Sequence, residues 1–268
     1  MPRKPANLIF GVDDKPGWGT ALLLGFQHIC VQSISFILPV IVIAAVGGTD
    51  DQARNLICMA MIASGIATFL QGVNRGPVGS GYLCPLVNGP AFLSASLLAG
   101  TKGGLPLIFG MTAFGGLFEA LISRAITRLR SLFPSEVTGT VVTMVGIEII
   151  GIAVPHFLGI DKTHPDPDAR SVAVATITFM SMAGFTVWGA GKLRLYSVLL
   201  GLVIGYVSAF FLGVLTHTDI VQIIQQPLFR APYFDEFGLS FDGALIVPFL
   251  VATLSSALKT MGDLTTCQ

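Results

Sequence analysis

An all-α integral membrane protein is the fold this sequence predicts, and three observations carry the expectation. Of 268 residues, 53% are hydrophobic and only 11% charged, against about 25% charged in an ordinary soluble domain. Long intervals hold no Asp, Glu, Lys or Arg at all. Most of these approach the roughly 20 apolar residues that a helix needs to cross about 30 Å of hydrocarbon, where only internal backbone hydrogen bonding is tolerated. Lipid, not water, is the expected solvent.

Eight spans follow in order. Charge-free intervals place helices at Trp18–Val46, Asn55–Leu70, Leu86–Ala99, Ser171–Ala190 and Leu195–Leu215. Three more carry one ionisable residue each: Leu105–Ile126 with Glu119, Val137–Leu158 with Glu148, and Gly243–Gly262 with Lys259. The first span is too long for a cleaved signal peptide, and the mixed charge of residues 1–17 argues the same way. Numbering the connections alternately puts nine Lys and Arg on the side of the N-terminus, including Arg124, Arg128 and Arg130, against five on the other. The positive-inside rule then makes residues 1–17 a cytoplasmic segment, and the plasma (inner) membrane is the expected address. The connection over 218–242 is external, with a short amphipathic segment expected near Gln222–Phe229.

Other function classes find little footing. Fifteen basic and fifteen acidic residues cancel, so nothing favours nucleic acid. Cys30, Cys58, Cys84 and Cys267 are scattered singly, without metal or redox spacing, and read as buried thiols. No HExxH, no Ser/His/Asp grouping and no carboxylate pair on one helix is present, so neither an enzyme nor a bound metal or cofactor is expected.

The third span breaks the pattern. GPVGSGYLCPLVNGPA (residues 76–91) sets Pro77, Pro85 and Pro90 among Gly76, Gly79, Gly81 and Gly89, a run that no continuous helix accommodates well. Interrupted backbone at membrane depth persists where it lines a cavity or is buried in protein. In secondary transporters it points to the binding site, although a Pro-kinked packing helix is the plainer alternative.

Polar residues elsewhere in the spans are weighed the same way. Gln27 and His28 lie well inside the first helix and are either functional or an interhelical hydrogen-bonding pair. Glu119, near a helix end and Arg124, reads as structural. Glu148 is a proton-relay or packing residue. Lys259 and Asp263 are four apart, so each can neutralise the other. Gly201–Gly205 (GxxxG) and the Gly110, Gly115, Gly116 cluster read as helix-packing surfaces.

Taken in order, FGVDDKPGW (10–18), Gln27–His28, NGPAFLSAS (88–96), FPSEVTGTVVTMVGIEIIG (133–151) and LSSALKTMGDLTT (254–266) resemble the nucleobase–ascorbate transporter family, also called the xanthine/uracil permeases. The resemblance implies fourteen helices in two inverted seven-helix repeats, with a third segment made of a short strand and a half-helix. Core helices would occupy 18–131, gate helices 132–217, the external connection 218–242, and the first helix of the second repeat 243–268. On this footing the chain is a partial one, lacking the family's signature motif. The implied activity is secondary active transport of a xanthine, urate or uracil-like base, coupled to a proton or other cation, by a protein that forms homodimers when full length. Phe92 and Ala91 would meet the flat base through ring and main chain, with His28 and Gln27 supporting. Lys259 stands where many members have a base-binding glutamate, with Asp263 and Glu148 as coupling or structural polar groups. That departure places uracil in doubt, favours an anionic purine, and motivates an alternative: an anion transporter or exchanger of the same architecture.

Overall fold

The computed structural model describes residues 14–73, 78–81, 86, 89–129, 135–160, 165–227, 229–233 and 238–266; side chains 34, 124–129, 135, 138, 142, 148, 152 and 264–266 fall outside the description. The elements are α1 (Trp18–Ser33), α2 (Ile37–Val46), α3 (Asp50–Gly72), α4 (Leu93–Leu129), α5 (Ser135–Phe157), α6 (Ala169–Val187), α7 (Lys192–Leu195), α8 (Ser197–Phe211), α9 (His217–Gln225) and α10 (Ile246–Thr266), with 3-10 turns at Ile34–Phe36, Pro90–Phe92 and Gly243–Leu245. Among the described residues no strand forms; Val78 makes an isolated bridge.

Every expected span has helix in it. Five stretches are long and apolar enough to cross a membrane: Trp18–Val46, Asp50–Gly72, Pro90–Ser123, Ala169–Val187 and Gly243–Asp263. Gly139–Gly151 and Ser197–Phe211 are shorter apolar helices on the fifth and seventh expected spans. The first span is interrupted at Ile34–Phe36. Pro39, three residues on, has no N–H for the carbonyl four residues earlier, which is why the helix tightens there. The third and fourth spans share α4, whose backbone leaves helical angles at Gly103 (φ −147°, ψ 16°) and Gly104 (φ 67°, ψ −158°) just before Pro106. The positive φ needs glycine, so the turn expected between two spans is present inside what looks like one helix.

Contacts divide the chain into two compact units. The first comprises residues 1–33 and 150–229, hence α1, the end of α5 and α6 to α9. Its main pairing is α6 on α8. Gly201 and Gly205 are buried there; a Cβ on Gly201 would lie 2.2 Å from Met182 Cγ, and one on Gly205 2.4 Å from Thr178 Oγ1. The GxxxG stripe is thus a packing surface, as its spacing predicts. The short amphipathic helix after α8 covers 217–225, not 222–229. Thr216 starts it as N-cap in a reciprocal capping box with Asp219, a start signal stronger than the weak periodicity that pointed farther along.

The second unit comprises residues 34–149 and 230–268. Here α4 packs against α2 and α10, and α2 against α3. Thr49 and Gln52 form the capping box of α3, with Asp50 and Asp51 in its first turn. The connection leading to α10 is bonded to the helices it passes. Asn55, fully buried, donates from Nδ2 to the Tyr233 carbonyl at 2.9 Å and accepts from the Tyr233 amide at 2.8 Å. Arg230 pairs with Asp51 at 2.7 Å and its guanidinium carbon lies 5.6 Å from the Tyr233 ring centre. Farther on, the Ser240 amide donates to the Pro106 carbonyl at 2.9 Å, and Phe241 meets Phe114 edge-on at 5.5 Å. Of the glycine cluster, Gly110 faces the Ser240 backbone and not a helix, Gly115 faces Thr253 and Phe92, and Gly116 faces open space.

Cys30 and Cys58 are free thiols, half-buried and not the fully buried ones expected. Lipid, not protein, covers much of a span's surface, and an apolar interval does not say which of the two touches a given thiol. Cys84 and Cys267 lie outside the described residues.

Candidate functional site

The interrupted stretch starts by folding back over the end of α3. The Ser80 and Gly81 amides both donate to the Gln71 carbonyl, at 3.1 and 3.2 Å, and Gln71 Nε2 donates to Ser80 Oγ at 2.6 Å. The last carbonyls of a helix have no partner within it, and this return supplies one. Gly79, at φ 76°, sits so close to α3 that a Cβ would be 1.8 Å from the Val73 carbonyl oxygen. Leu86 donates its amide to Thr68 Oγ1 at 3.0 Å. Pro77, Pro85 and Asn88 lie outside the described residues. No described residue between Val73 and Gly89 is helical.

Helix resumes at Pro90–Phe92. Gly89 is the extended N-cap and proline takes the first position, where its missing N–H costs nothing. Ala91 and Phe92 are therefore the first residues after the break. The Phe92 ring lies 6.3 Å from that of Phe249 on α10, tilted by 51°, within the range of favourable ring pairs. A Cβ on Gly115 would stand 3.3 Å from Phe92 Cε1 and 3.0 Å from Thr253 Oγ1. Thr253, fully buried, donates its hydroxyl to the Phe249 carbonyl at 2.8 Å. Phe92 thus lies between Phe249 and a glycine that leaves room for the ring. It also borders a cavity of about 320 Å³ between α2, α3 and α4, with Leu38, Val42, Met59 and Ser96 in the wall, large enough for a small ring compound.

Lys259 and Asp263 share this second unit. Lys259 Nζ donates to Asp263 Oδ2 at 2.6 Å, both partly exposed. The mutual neutralisation expected from their spacing is present. Lys259 lies ten residues beyond Phe249 on α10, about 15 Å along the axis at the helical rise.

Gln27 and His28 belong to the first unit. Gln27 Nε2 donates to the Leu195 carbonyl at 3.2 Å, the last carbonyl of α7, where the chain turns at Tyr196. Its Oε1 is buried and has no hydrogen-bond partner among the described residues. His28, on the next residue, is exposed. Glu148 lies on α5 with its side chain outside those described. Glu119 is partly buried on α4, and the side chain of Arg124, its expected partner, is also outside the description. Among the described residues no group of His, Cys, Asp and Glu could hold a metal.

Sequence reading missed Thr253, Phe249 and Asn55. Each faces a residue far along the chain: Phe249 the ring of Phe92, Thr253 the backbone at Gly115, and Asn55 the main chain of Tyr233. Single-chain periodicity does not say what such residues face.

Residues 19–268 match a family model described as a permease family, of the xanthine/uracil type. A Clostridium perfringens protein provisionally named as a purine permease is 31% identical over 96% of this chain and 57% of its own length. The xanthine permease of Bacillus subtilis is 29% identical over 92% of this chain and 56% of its own. The xanthine permease XanP of Escherichia coli is 26% identical over 97% and 58%. The chain spans somewhat more than half the length of these relatives.

Proposed function

This chain belongs to the xanthine/uracil permease family, and on that footing we propose that it is part of a secondary active transporter of nucleobase-like substrates, coupled to protons or another cation. The single observation that carries the reading is the interruption ahead of Phe92. Main-chain groups released from helical bonding stand next to an aromatic ring that is fixed in place. A flat, weakly polar heterocycle is held by that combination: stacking on the ring, hydrogen bonds to backbone. The names of the relatives, purine and xanthine permeases, point to the same substrate class.

Within this proposal Ala91 and Phe92 contact the base, and Lys259 with Asp263 forms the polar pair of α10. Gln27 and His28 enter from the resemblance alone. The inverted repeat, the short strand before Phe92, the core and gate division, the homodimer, the inner-membrane address and the cytoplasmic N-terminus belong to the same proposal. The packing of α10 onto α4 and the turn at Pro90–Phe92 groups the eighth span with the third and fourth, while α1 falls in the other unit with α6 to α9. The anion-exchanger alternative drew on Lys259 in place of a glutamate and on the interrupted third span; the relatives, named purine and xanthine permeases, lend it no support, and Lys259 is bonded to Asp263.

The test is uptake of labelled xanthine, urate and uracil by cells that lack their own permeases and express the full-length protein. Uptake of at least one base, abolished by a protonophore, is the expected result. No uptake across a broad purine and pyrimidine panel would overturn the substrate class, and uptake indifferent to every ion gradient would overturn the coupling.

A further inference from the structure

The first unit carries a second feature, unrelated to the Phe92 region, where α6 turns into α8. Trp188, the residue after α6, is 82% exposed, and its ring reaches back along the helix to Gly184, where a Cβ would sit 3.8 Å from Trp188 Cε3. The chain then reverses tightly: a Cβ on Gly189 would be 2.1 Å from the Phe185 carbonyl oxygen, and Gly191 has φ 55°. Four residues of helix follow, Lys192–Leu195. An open groove of about 350 Å³ lies along this corner, walled by Met180, Ser181, Gly184, Phe185, Trp188 and Leu193. The Ser181 hydroxyl is turned to the Ile177 carbonyl at 2.7 Å, so the groove offers an apolar wall. Beside it, Lys192 and Arg194 are exposed and form no ion pair with any described residue.

We propose that this corner binds an anionic phospholipid, one acyl chain lying in the groove and the phosphate held by Lys192 and Arg194. The groove alone would accept the tail of any lipid. What selects the headgroup is charge: two cations two residues apart with no carboxylate paired to them among the described residues. An exposed tryptophan at the end of an apolar span marks the level of the headgroups, and each Lys or Arg at that level favours an anionic lipid by a roughly constant increment. A zwitterionic lipid brings its own cation with its phosphate and gains little from the pair.

Native mass spectrometry of the purified full-length protein, loaded separately with phosphatidylglycerol and phosphatidylcholine of identical chains, tests this. The parent protein should retain phosphatidylglycerol in preference to phosphatidylcholine. Replacing both cations (Lys192→Ala with Arg194→Ala) should weaken phosphatidylglycerol retention by about thirty-fold, about five-fold per cation, and leave phosphatidylcholine unchanged. Trp188→Ala should reduce both lipids, because it removes a wall and no charge. Equal retention of the two lipids by the parent protein, or undiminished phosphatidylglycerol in the double variant, overturns the proposal. Displacement of the lipid by excess glycerol 3-phosphate overturns the part assigned to the groove, since free phosphate would then suffice. A melting curve matching the parent establishes that the double variant is folded, and Lys192→Gln with Arg194→Gln carries the same comparison should alanine lower it.

Discussion

The α6–α8 pair of the first unit and the α3–α4–α10 assembly of the second join helices in different ways. Between α6 and α8 one side-chain bond, from Thr186 Oγ1 to Ser197 Oγ at 3.0 Å, closes the end of the seam, and along the rest Gly201 and Gly205 bring one backbone down onto Met182 and Thr178. In the second unit the helices are broken, at Gly103–Gly104 and ahead of Pro90, and extended chain returns to bond with them through Asn55, Tyr233, Ser240 and Pro106. The contrast has a physical basis. Lipid tails are as apolar as leucine, so intact helices gain by close van der Waals contact, whereas a broken helix exposes backbone groups that must find partners. Discontinuity and a stitched connection come together because one creates the need that the other meets.

Four alanine substitutions at glycine break this comparison most sharply, because they differ in what the new methyl meets. At Gly110 it meets the Ser240 carbonyl oxygen at 1.8 Å, main chain that moves only by giving up its bond to Pro106, and a loss of about 3 kcal/mol is expected. At Gly205 it meets Thr178 Oγ1 at 2.4 Å, a hydroxyl bonded to the Val174 carbonyl, with a cost of about 2 kcal/mol. At Gly201 the obstacle is Met182 Cγ, a flexible chain that yields more cheaply, about 1 kcal/mol. Gly116 faces open space and its alanine should be neutral or slightly stabilising, since alanine is the better helix former. Melting temperatures in one detergent should fall in that order. A Gly201 variant less stable than the Gly110 variant would mean that the stitched connection contributes less than the sterics indicate.

Asn55→Leu tests the polar side alone. It keeps the volume but strands the amide and carbonyl of Tyr233, and a buried unpaired group costs about 1–3 kcal/mol. A loss of about 2 kcal/mol is expected, together with faster proteolysis in the connection over 229–242. Unchanged proteolysis would show that Ser240 and Phe241 hold the connection without Asn55.

Gly115→Ala carries the comparison into transport. Its methyl would press on Phe92 and Thr253 at 3.3 and 3.0 Å, shifting the ring by a few tenths of an ångström without unfolding α4. If a base stacks on Phe92 as proposed, losing much of a stacking interaction of about 1 kcal/mol predicts about a five-fold rise in its KM, with the maximal rate nearly unchanged. Gly116→Ala, one residue on, is the control. A fall in maximal rate with constant KM would assign Gly115 to helix movement instead of base contact.

Much of the fold is legible in the residues because the bilayer imposes a simple rule: apolar intervals become helices, and the described residues of the glycine and proline run between Val73 and Gly89 do not. The capping residues Thr49 and Thr216 announce their helices in the same local language, although the weak periodicity near Gln222 misplaces α9 by several residues. What the sequence leaves hidden is pairing at a distance. Asn55 reaches Tyr233 across 178 positions, and Phe92 meets Phe249, through chain paths that no local pattern encodes. Of the candidate site, the break and the Lys259–Asp263 pair are readable because both are local, whereas Thr253 and Gly115 become visible only when α4 and α10 come together.

The smallest expected effect concerns pH, at a helix start in the first unit. Asp168 caps α6, accepting from the Ser171 hydroxyl at 2.7 Å and from the Ser171 and Arg170 amides at 3.1 and 3.3 Å. The hydroxyl bond foremost, then the amides, holds its carboxyl below the usual carboxylate range. A carboxyl whose folded-state pKa is depressed stabilises the fold above its unfolded pKa and loses that contribution as pH falls through the folded value. Asp168→Asn keeps an equally good cap but cannot titrate. Its melting temperature should match the parent near pH 4 to within a degree or so, fall slightly short at neutral pH where the charged cap also complements the helix dipole, and decline less steeply in acid. Parallel curves down to pH 2 would show that Asp168 is not linked to folding, and the acid sensitivity would then pass to Asp219, held below its usual range by the Thr216 hydroxyl at the start of α9.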